Sequence, residues 1–382
     1  MSGTSLDGVD AVLADCGGTF PKSLAHSYRA FPAELRDSLT SLCASGPDEI
    51  ERCGIAARDL AHLYASVVND VLQSARLTHS ALRAIGAHGQ TIRHRPNLGF
   101  SVQLNAPALL AELSGIDVVA DFRSRDLAAG GHGAPLASLF HIAAFSGPLP
   151  RAVVNVGGIS NLTGLPKAGD DGVVIGFDIG PGNLLLDYWV QKHFAVPFDH
   201  DGALAASAGT DQGLLDALLA ESFFAAPPPK SSGRELFSPA WLERTLQNRT
   251  LEPATVLATL TRLSAVAIAR AVKNWFPQAN DVVICGGGAR NATLLRMLES
   301  ECAPRAVIAS SALGVEPDQV EALAFAWLAH AHVSGQPGNV PSVTGARGGR
   351  ILGALYPAQV FSKLDAERSN KKGARGRLSL LT

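Results

Sequence analysis

The run Val153-Val154-Asn155-Val156-Gly157-Gly158-Ile159-Ser160-Asn161 is a short β-branched strand that opens straight into two glycines. Strand ends of this kind are where α/β folds take ligands, because backbone amides there point into a crevice. The pattern recurs twice. Val173 to Phe177 leads into Asp178-Ile179-Gly180-Pro181-Gly182-Asn183, and Val282 to Cys285 leads into Gly286-Gly287-Gly288-Ala289-Arg290-Asn291. One such turn is ordinary loop punctuation. Three of them, together with a fourth at the start of the chain, point to a ligand cleft.

The fourth is Met1-Ser2-Gly3-Thr4-Ser5-Leu6-Asp7-Gly8-Val9-Asp10. Its glycines let the backbone approach a ligand closely. Thr4 and Ser5 add hydroxyls beside amides that can form an anion-binding concavity. A loop serving phosphate alone would avoid carboxylates, so Asp7 and Asp10 suggest a phosphate that shares its charge with Mg²⁺. An exposed Asp-Gly hairpin turn would read the same way.

Between these turns, β-branched runs alternate with helical patterns. Strands are expected at 152–156, 173–177, 281–285 and 306–308. Helices are expected near 49–77, 135–145, 183–194, 211–222, 239–247, 253–276, 291–301 and 319–333. The clearest helix follows Glu252-Pro253, with Val256, Leu257, Leu260, Leu263, Ala267, Ala271 and Trp275 at three- and four-residue steps. Residues 199–209 and 225–233 read as loops. Such alternation gives an α/β class with mixed or parallel sheets.

At 382 residues the chain has room for two lobes, each with its own core. Charged residues make up only 17%, and no stretch reads as a membrane span. The first Lys stands at position 22, so no secretory signal is expected. Five cysteines without a Cys-x-x-Cys pair indicate neither a disulfide framework nor a zinc site, and suit the cytoplasm. Six of the basic residues fall between Lys363 and Arg377 against two acids, so a mildly acidic globule carries a basic tail. Residues 363–382 are therefore expected to be disordered, with neither nucleic acid nor membrane as partner.

Familiar nucleotide fingerprints are absent: there is no P-loop and no full Gly-x-Gly-x-x-Gly. Gly-x-Ser-x-Gly is missing too. Phosphate turns and a late triple glycine on two α/β lobes resemble instead the actin and hexokinase ATPase superfamily. Within it the motifs are similar to those of the anhydro-N-acetylmuramic acid kinases. The resemblance is carried by residues 1–10, Ala87-His88-Gly89-Gln90-Thr91-Ile92-Arg93-His94, Asp121-Phe122-Arg123-Ser124-Arg125-Asp126, 155–163 and 176–183. Pro229 to Glu235, Cys285 to Asn291 and Glu321 to Trp327 continue it, in order, over residues 1 to 357.

The resemblance implies a two-lobed actin/hexokinase-like (ribonuclease H-like) fold with an interlobe cleft. Residues 1–123 with about 340–362 would form the N-terminal lobe, and 124–339 the C-terminal lobe. It implies a kinase that hydrolyses the 1,6-anhydro bond of anhydro-N-acetylmuramic acid while moving the γ-phosphoryl of ATP to O6. An inverting glycosidase needs a carboxylate base and a carboxylic acid. Here phosphoryl transfer replaces the acid's proton, so one base suffices, and Asp178 is expected to be it.

ATP is expected at Gly3, Thr4, Ser5, Leu6, Asp7, Gly8, Val9 and Asp10, with Mg²⁺ at Asp7. Asn155, Gly157 and Gly158 would face the phosphates; Gly286, Gly287, Gly288 and Asn291 would border the adenosine. Arg123 is expected to take the sugar's lactyl carboxylate, with Arg125 competing. His88, Gln90 and Glu321 complete the sugar side, while Lys230 and Arg234 match family positions without an assigned role. The expected partners are the amino sugar and ATP, with a homodimer left open. The family's first turn normally follows an apolar strand, so a start at Met1 suggests truncation or an internal start codon. Rival readings are another sugar kinase of the superfamily and a non-catalytic nucleotide sensor.

Overall fold

The computed structural model describes residues 1–3, 6–18, 20–233 and 236–358. Thr4, Ser5, Arg234 and the basic tail lie outside the described residues. Twelve strands are present among the described ones: β1 (Gly8–Asp15), β2 (Lys22–Ala30), β3 (Ile85–Ala87), β4 (Gln90–Arg95), β5 (Phe100–Leu104), β6 (Val118–Ala120), β7 (Arg151–Val156), β8 (Ile159–Leu165), β9 (Ile175–Pro181), β10 (Asp281–Cys285), β11 (Ala306–Ala309) and β12 (Ala354–Tyr356). With the helices between them they make the α/β class expected from the sequence.

The C-terminal half is built on one mixed five-stranded sheet in the order β11-β10-β7-β8-β9. β7, β10 and β11 run parallel, and β7-β8-β9 form an antiparallel meander. Val153, Val154, Val282, Val283 and Ile284 are fully buried, as strands covered on both faces require. The helix Pro253–Trp275 lies against this sheet. Proline suits its first turn, where no N–H partner is needed. Ala265, Ile268 and Val272 face the sheet, whereas Val256, Leu257, Leu260 and Leu263 face a helical layer around Trp189 and Leu214.

That helix corrects one expectation. It is long and apolar enough to cross a membrane by length and composition, and 78% of its most apolar window is buried inside the fold. It is a core helix. Residues 199–209 also depart from the loop expectation, because they contain a short helix, Ala203–Ala206. The Asp199 carboxylate holds the amides of Leu204 and Ala205 there.

The N-terminal half has smaller sheets: the β1-β2 hairpin, β4-β5, and β12-β6-β3. The helix Glu49–Ala75 covers them with Leu60, Ala61, Tyr64 and Val67 buried. The helix Val320–Val333 packs against β1, β3 and β6 and also against the C-terminal-half helix Ser138–Phe145, so it joins the two halves. Its Phe325, Leu328 and Ala329 share a core with Val119, Phe122 and Leu352. A cavity of about 370 Å³ opens between β1 and β3, bounded by Met1, Val12, Tyr64, Ile85 and Ala326.

Candidate active site

The β7–β8 turn brings three polar residues into one row across the sheet. Asn155 pairs with Asn161 across β7 and β8, and Asn161 pairs with Asp178 across β8 and β9. Paired positions share a face of the sheet. The sequence pattern placed Asp178 in a turn after a strand ending at Phe177. In the structure β9 continues through Asp178 to Pro181, because its ladder to β8 is maintained from Gly164↔Ile175 to Ile159↔Pro181. Gly180, at φ +148°, absorbs the accompanying irregularity.

Asp178 is fixed by the segment that follows Pro229. Its Oδ2 accepts from the Ser232 amide at 2.9 Å, and its own amide donates to the Lys230 carbonyl at 3.0 Å. The Lys230 ammonium donates to the Phe223 carbonyl at 2.8 Å and lies 4.6 Å from the centre of the Phe223 ring. Burial pulls the Lys230 pKa down, against the attraction of Asp178.

The arginine of the Asp121–Asp126 motif faces the same region. Arg125 is exposed, whereas the charge of Arg123 is felt by Glu321, Asp178 and Asp126. Desolvation lowers Arg123 to about 10, and these carboxylates oppose that shift. Its Nη1 donates to the Gly133 carbonyl at 2.6 Å. Its Nη2 lies 2.8 Å from His88 Nε2. Its Nε is sealed from solvent and has no partner among the described residues. A buried donor without an acceptor is costly, and an incoming anion would satisfy it.

His88 is almost wholly buried, and its Nδ1 lies 3.3 Å from the Ser2 carbonyl. A carbonyl only accepts, so Nδ1 carries the proton and Nε2 receives the Arg123 hydrogen bond. Burial, and then Arg123 itself, hold the His88 pKa well below the usual imidazole range, which keeps this neutral form. Gln90 is fully buried and donates to the Gly3 carbonyl at 3.0 Å. Both side chains therefore support the opening turn, and His88 also aims Arg123. Glu321, in the first turn of Val320–Val333, accepts from Asn155 Nδ2 at 3.1 Å. Desolvation raises its pKa, an effect that Asn155 and Arg123 moderate.

The remaining positions are placed as follows. Leu6, Gly8 and Val9 are buried, Asp10 meets His26 at 3.0 Å, and Asp7 is exposed with its Oδ1 accepting from the Gly8 amide. The carbonyls of Gly157 and Gly158 accept from Asn183 and from Gly182 and Leu184, which fixes the peptide planes of that turn. Gly286 takes φ +77°, and a Cβ there would come within 2.3 Å of Asn155 Oδ1. At Gly288 a Cβ would come within 2.3 Å of Val156 Cγ1. These two glycines let the exit of β10 cross the end of β7, a stronger demand than room for a flat base. Gly287 is the exposed member of the three. Asn291 caps the helix Ala292–Cys302 by accepting from the Leu294 amide at 2.9 Å.

Two neighbours of the site were not singled out from the sequence. Asn161 sits beside Asp178 with its Oδ1 buried and unpartnered among the described residues. Its signal was available: it ends the glycine run that opens at Asn155. Ser232 holds Asp178 through its backbone amide, which no residue type announces.

Comparison with known proteins identifies the family of the chain. The family model described as anhydro-N-acetylmuramic acid kinase matches residues 1–358. An anhydro-N-acetylmuramic acid kinase of Cupriavidus pinatubonensis is 53% identical over 365 residues, covering 94% of this chain and 97% of that protein. One from Bordetella petrii is 52% identical over 367 residues, covering 94% and 95%. Among solved structures, an activator of 2-hydroxyisocaproyl-CoA dehydratase from Clostridium difficile with bound ADPNP is similar at TM-score 0.42 and 13% identity. It covers 97% of this chain and 100% of that one. A ROK family glucokinase from Streptomyces griseus in complex with glucose and AMPPNP is similar at TM-score 0.35 and 13% identity, covering 84% and 99%.

Proposed function

This chain belongs to the anhydro-N-acetylmuramic acid kinase family, and we propose that Asp178 is the base with which it performs that family's reaction. The enzyme is an ATP-dependent kinase acting on 1,6-anhydro-N-acetylmuramic acid. Water adds to C1 as the C1–O6 bond breaks, O6 bonds to the γ-phosphorus, and ADP leaves. The products are N-acetylmuramate 6-phosphate and ADP.

Asp178 takes the proton of the attacking water. The Ser232 amide on Oδ2 holds the carboxylate in one orientation, which is what a positioned base needs. Arg123 receives the lactyl carboxylate of the sugar. The observation that carries this assignment is its buried, unpartnered Nε beside Asp178 and Glu321. Arg125, exposed on the same motif, is set aside. Glu321, Asn155 and Asn161 line the gap between the two functions, and His88 and Gln90 complete the sugar side from behind.

The phosphates of ATP lie between the opening turn and Gly157-Gly158, with adenosine toward Gly287. Mg²⁺ keeps several waters and needs only one or two protein carboxylates besides phosphate. The exposed Asp7 meets that requirement, and the ion would neutralise charge on the phosphoryl group in transfer. We place the reaction in the cytoplasm, where the thiols of a chain without a Cys-x-x-Cys pair would stay reduced. The test is incubation with MgATP and anhydro-N-acetylmuramic acid, followed by mass measurement of the sugar. Gain of one water and one phosphoryl group supports the reading. ADP release with the sugar unchanged would sink it.

A further inference from the structure

Asp126 is a buried carboxylate that the reaction above does not use. It is fully inaccessible, and among the described residues no cation lies within ion-pair distance. Its charge is met by three hydrogen-bond donors. The Gly133 amide donates to Oδ2 at 2.8 Å, while Asn339 Nδ2 and the Thr344 hydroxyl donate to Oδ1 at 2.7 and 2.8 Å. Asn339 and Thr344 are themselves buried, at 5% and 1% exposure. A carboxylate desolvated to this degree stays in place only when its acceptors are filled.

The three donors belong to two separate passages of the chain. Gly133 ends the segment that begins at Arg123 with the short helix Ser124–Ala128, and Asn339 and Thr344 lie beyond the helix Val320–Val333. Two backbone bonds run alongside: the His132 amide to the Thr344 carbonyl at 2.8 Å, and the Arg347 amide to the Ala129 carbonyl at 2.9 Å. Asp126 therefore fastens the 123–133 segment to the 339–347 segment. Gly131 passes so close that a Cβ there would stand 2.2 Å from Asp126 Oδ2.

The knot ends on Arg123. Gly133 gives its amide to Asp126 and its carbonyl to Arg123 Nη1, so the peptide group that Asp126 holds is adjacent to the one that aims the guanidinium. His88 fixes the second nitrogen. With Nη1 and Nη2 both oriented, the unpartnered Nε can point in only one direction.

We propose that Asp126 is a positioning residue: through Gly133 it sets the direction of Arg123 and so the enzyme's preference for a sugar bearing a carboxylate. This rests on the assignment of Arg123 to the lactyl carboxylate. Asp126→Asn either turns an N–H toward the Gly133 amide and displaces it directly, or keeps that contact and releases Asn339 and Thr344, which loosens Gly133 through the neighbouring His132–Thr344 bond. A displacement of about 1 Å at a positioning contact costs on the order of 10²-fold in rate, so a partial shift should cost about tenfold.

The experiment compares kcat/KM for anhydro-N-acetylmuramic acid with that for 1,6-anhydro-N-acetylglucosamine, which lacks the lactyl ether. Wild type should prefer the first. Asp126→Asn should reduce that preference about tenfold and leave the KM for ATP nearly unchanged. Thr344→Val removes one donor and keeps the shape; it should reduce the preference less, and it carries the comparison if D126N does not fold. A lowered melting temperature with the wild-type preference retained would make Asp126 purely structural and overturn the proposal. Equal use of both sugars by wild type would instead overturn the Arg123 assignment, and this inference with it.

Discussion

Replacing Asp178 by Asn tests the chemistry most directly. The substitution keeps the planar group on β9, and the amide oxygen can still accept from Ser232, which now donates to Oδ2 at 2.9 Å. The amide nitrogen then occupies the place of the second carboxylate oxygen. It has no available lone pair and cannot take a proton from water. A positioned general base contributes about 10²–10⁴-fold, which is roughly 3–5 kcal/mol of barrier at 25 °C. Since Arg123, Asn155 and the glycine turns are untouched, the loss should fall on kcat and leave the KM for ATP and for sugar largely as they were.

Single-turnover reaction in ¹⁸O-water supplies the assay. In wild type the label should enter the anomeric carbon, because water attacks C1 while O6 keeps its own oxygen. Label in inorganic phosphate with an intact anhydro ring would mean plain ATP hydrolysis. An Asn variant with full activity would remove Asp178 as the base.

Two further outcomes are expected. Binding a non-hydrolysable ATP analogue with Mg²⁺ should bring the lobes together and reduce the radius of gyration in solution scattering, since closure excludes water that would waste ATP; an unchanged profile at saturation would count against it. Deleting the residues after Ser362 should leave kcat unchanged, because every residue assigned to the site precedes it, and a large loss would tie the tail to the site or to a second subunit.

The parts of this fold that were legible in the sequence are those where one face or both are buried without interruption. β10 runs over Asp281–Cys285 as its β-branched run indicates, and the helix Pro253–Trp275 follows its three- and four-residue spacing. β8 was not legible: Ile159-Ser160-Asn161-Leu162-Thr163-Gly164-Leu165 carries turn-forming residues, and pairing with both β7 and β9 overrides them. The site shows the same division. Asp178, Arg123 and the glycines stand out by type and motif, whereas the work of Asp126 depends on partners 213 and 218 residues away. His88 stood out by type, but only its contacts with Ser2 and Arg123 show that it acts on other residues.

The cavity beside β1 supports one more prediction. The Met1 amine donates to the Asp10 carbonyl at 2.6 Å, and the Asp10 amide donates to the Met1 carbonyl at 2.8 Å. A reciprocal pair of this kind is one rung of an antiparallel ladder. Backbone joined ahead of Met1 would therefore run along the edge of β1 not paired with β2, into the space that Ile85 and Gly86 of β3 border from the other side. Desolvation lowers the Met1 amine to about 6, from 8.0. Between those values the unfolded chain binds more protons than the folded one, so stability should rise as pH rises from 6 to 8. The penalty at pH 7 is about 1 kcal/mol. Joining an apolar segment of about six residues, a typical strand length, replaces the ammonium with a peptide N–H. That change should raise the melting temperature and remove the amine's share of the rise in stability between pH 6 and 8, making the rise shallower. The stability gained with pH from His88, His94 and His141, whose pKa values burial lowers, should remain. Melting curves that coincide for the extended and present chains at every pH would show that the cavity does not accept a strand.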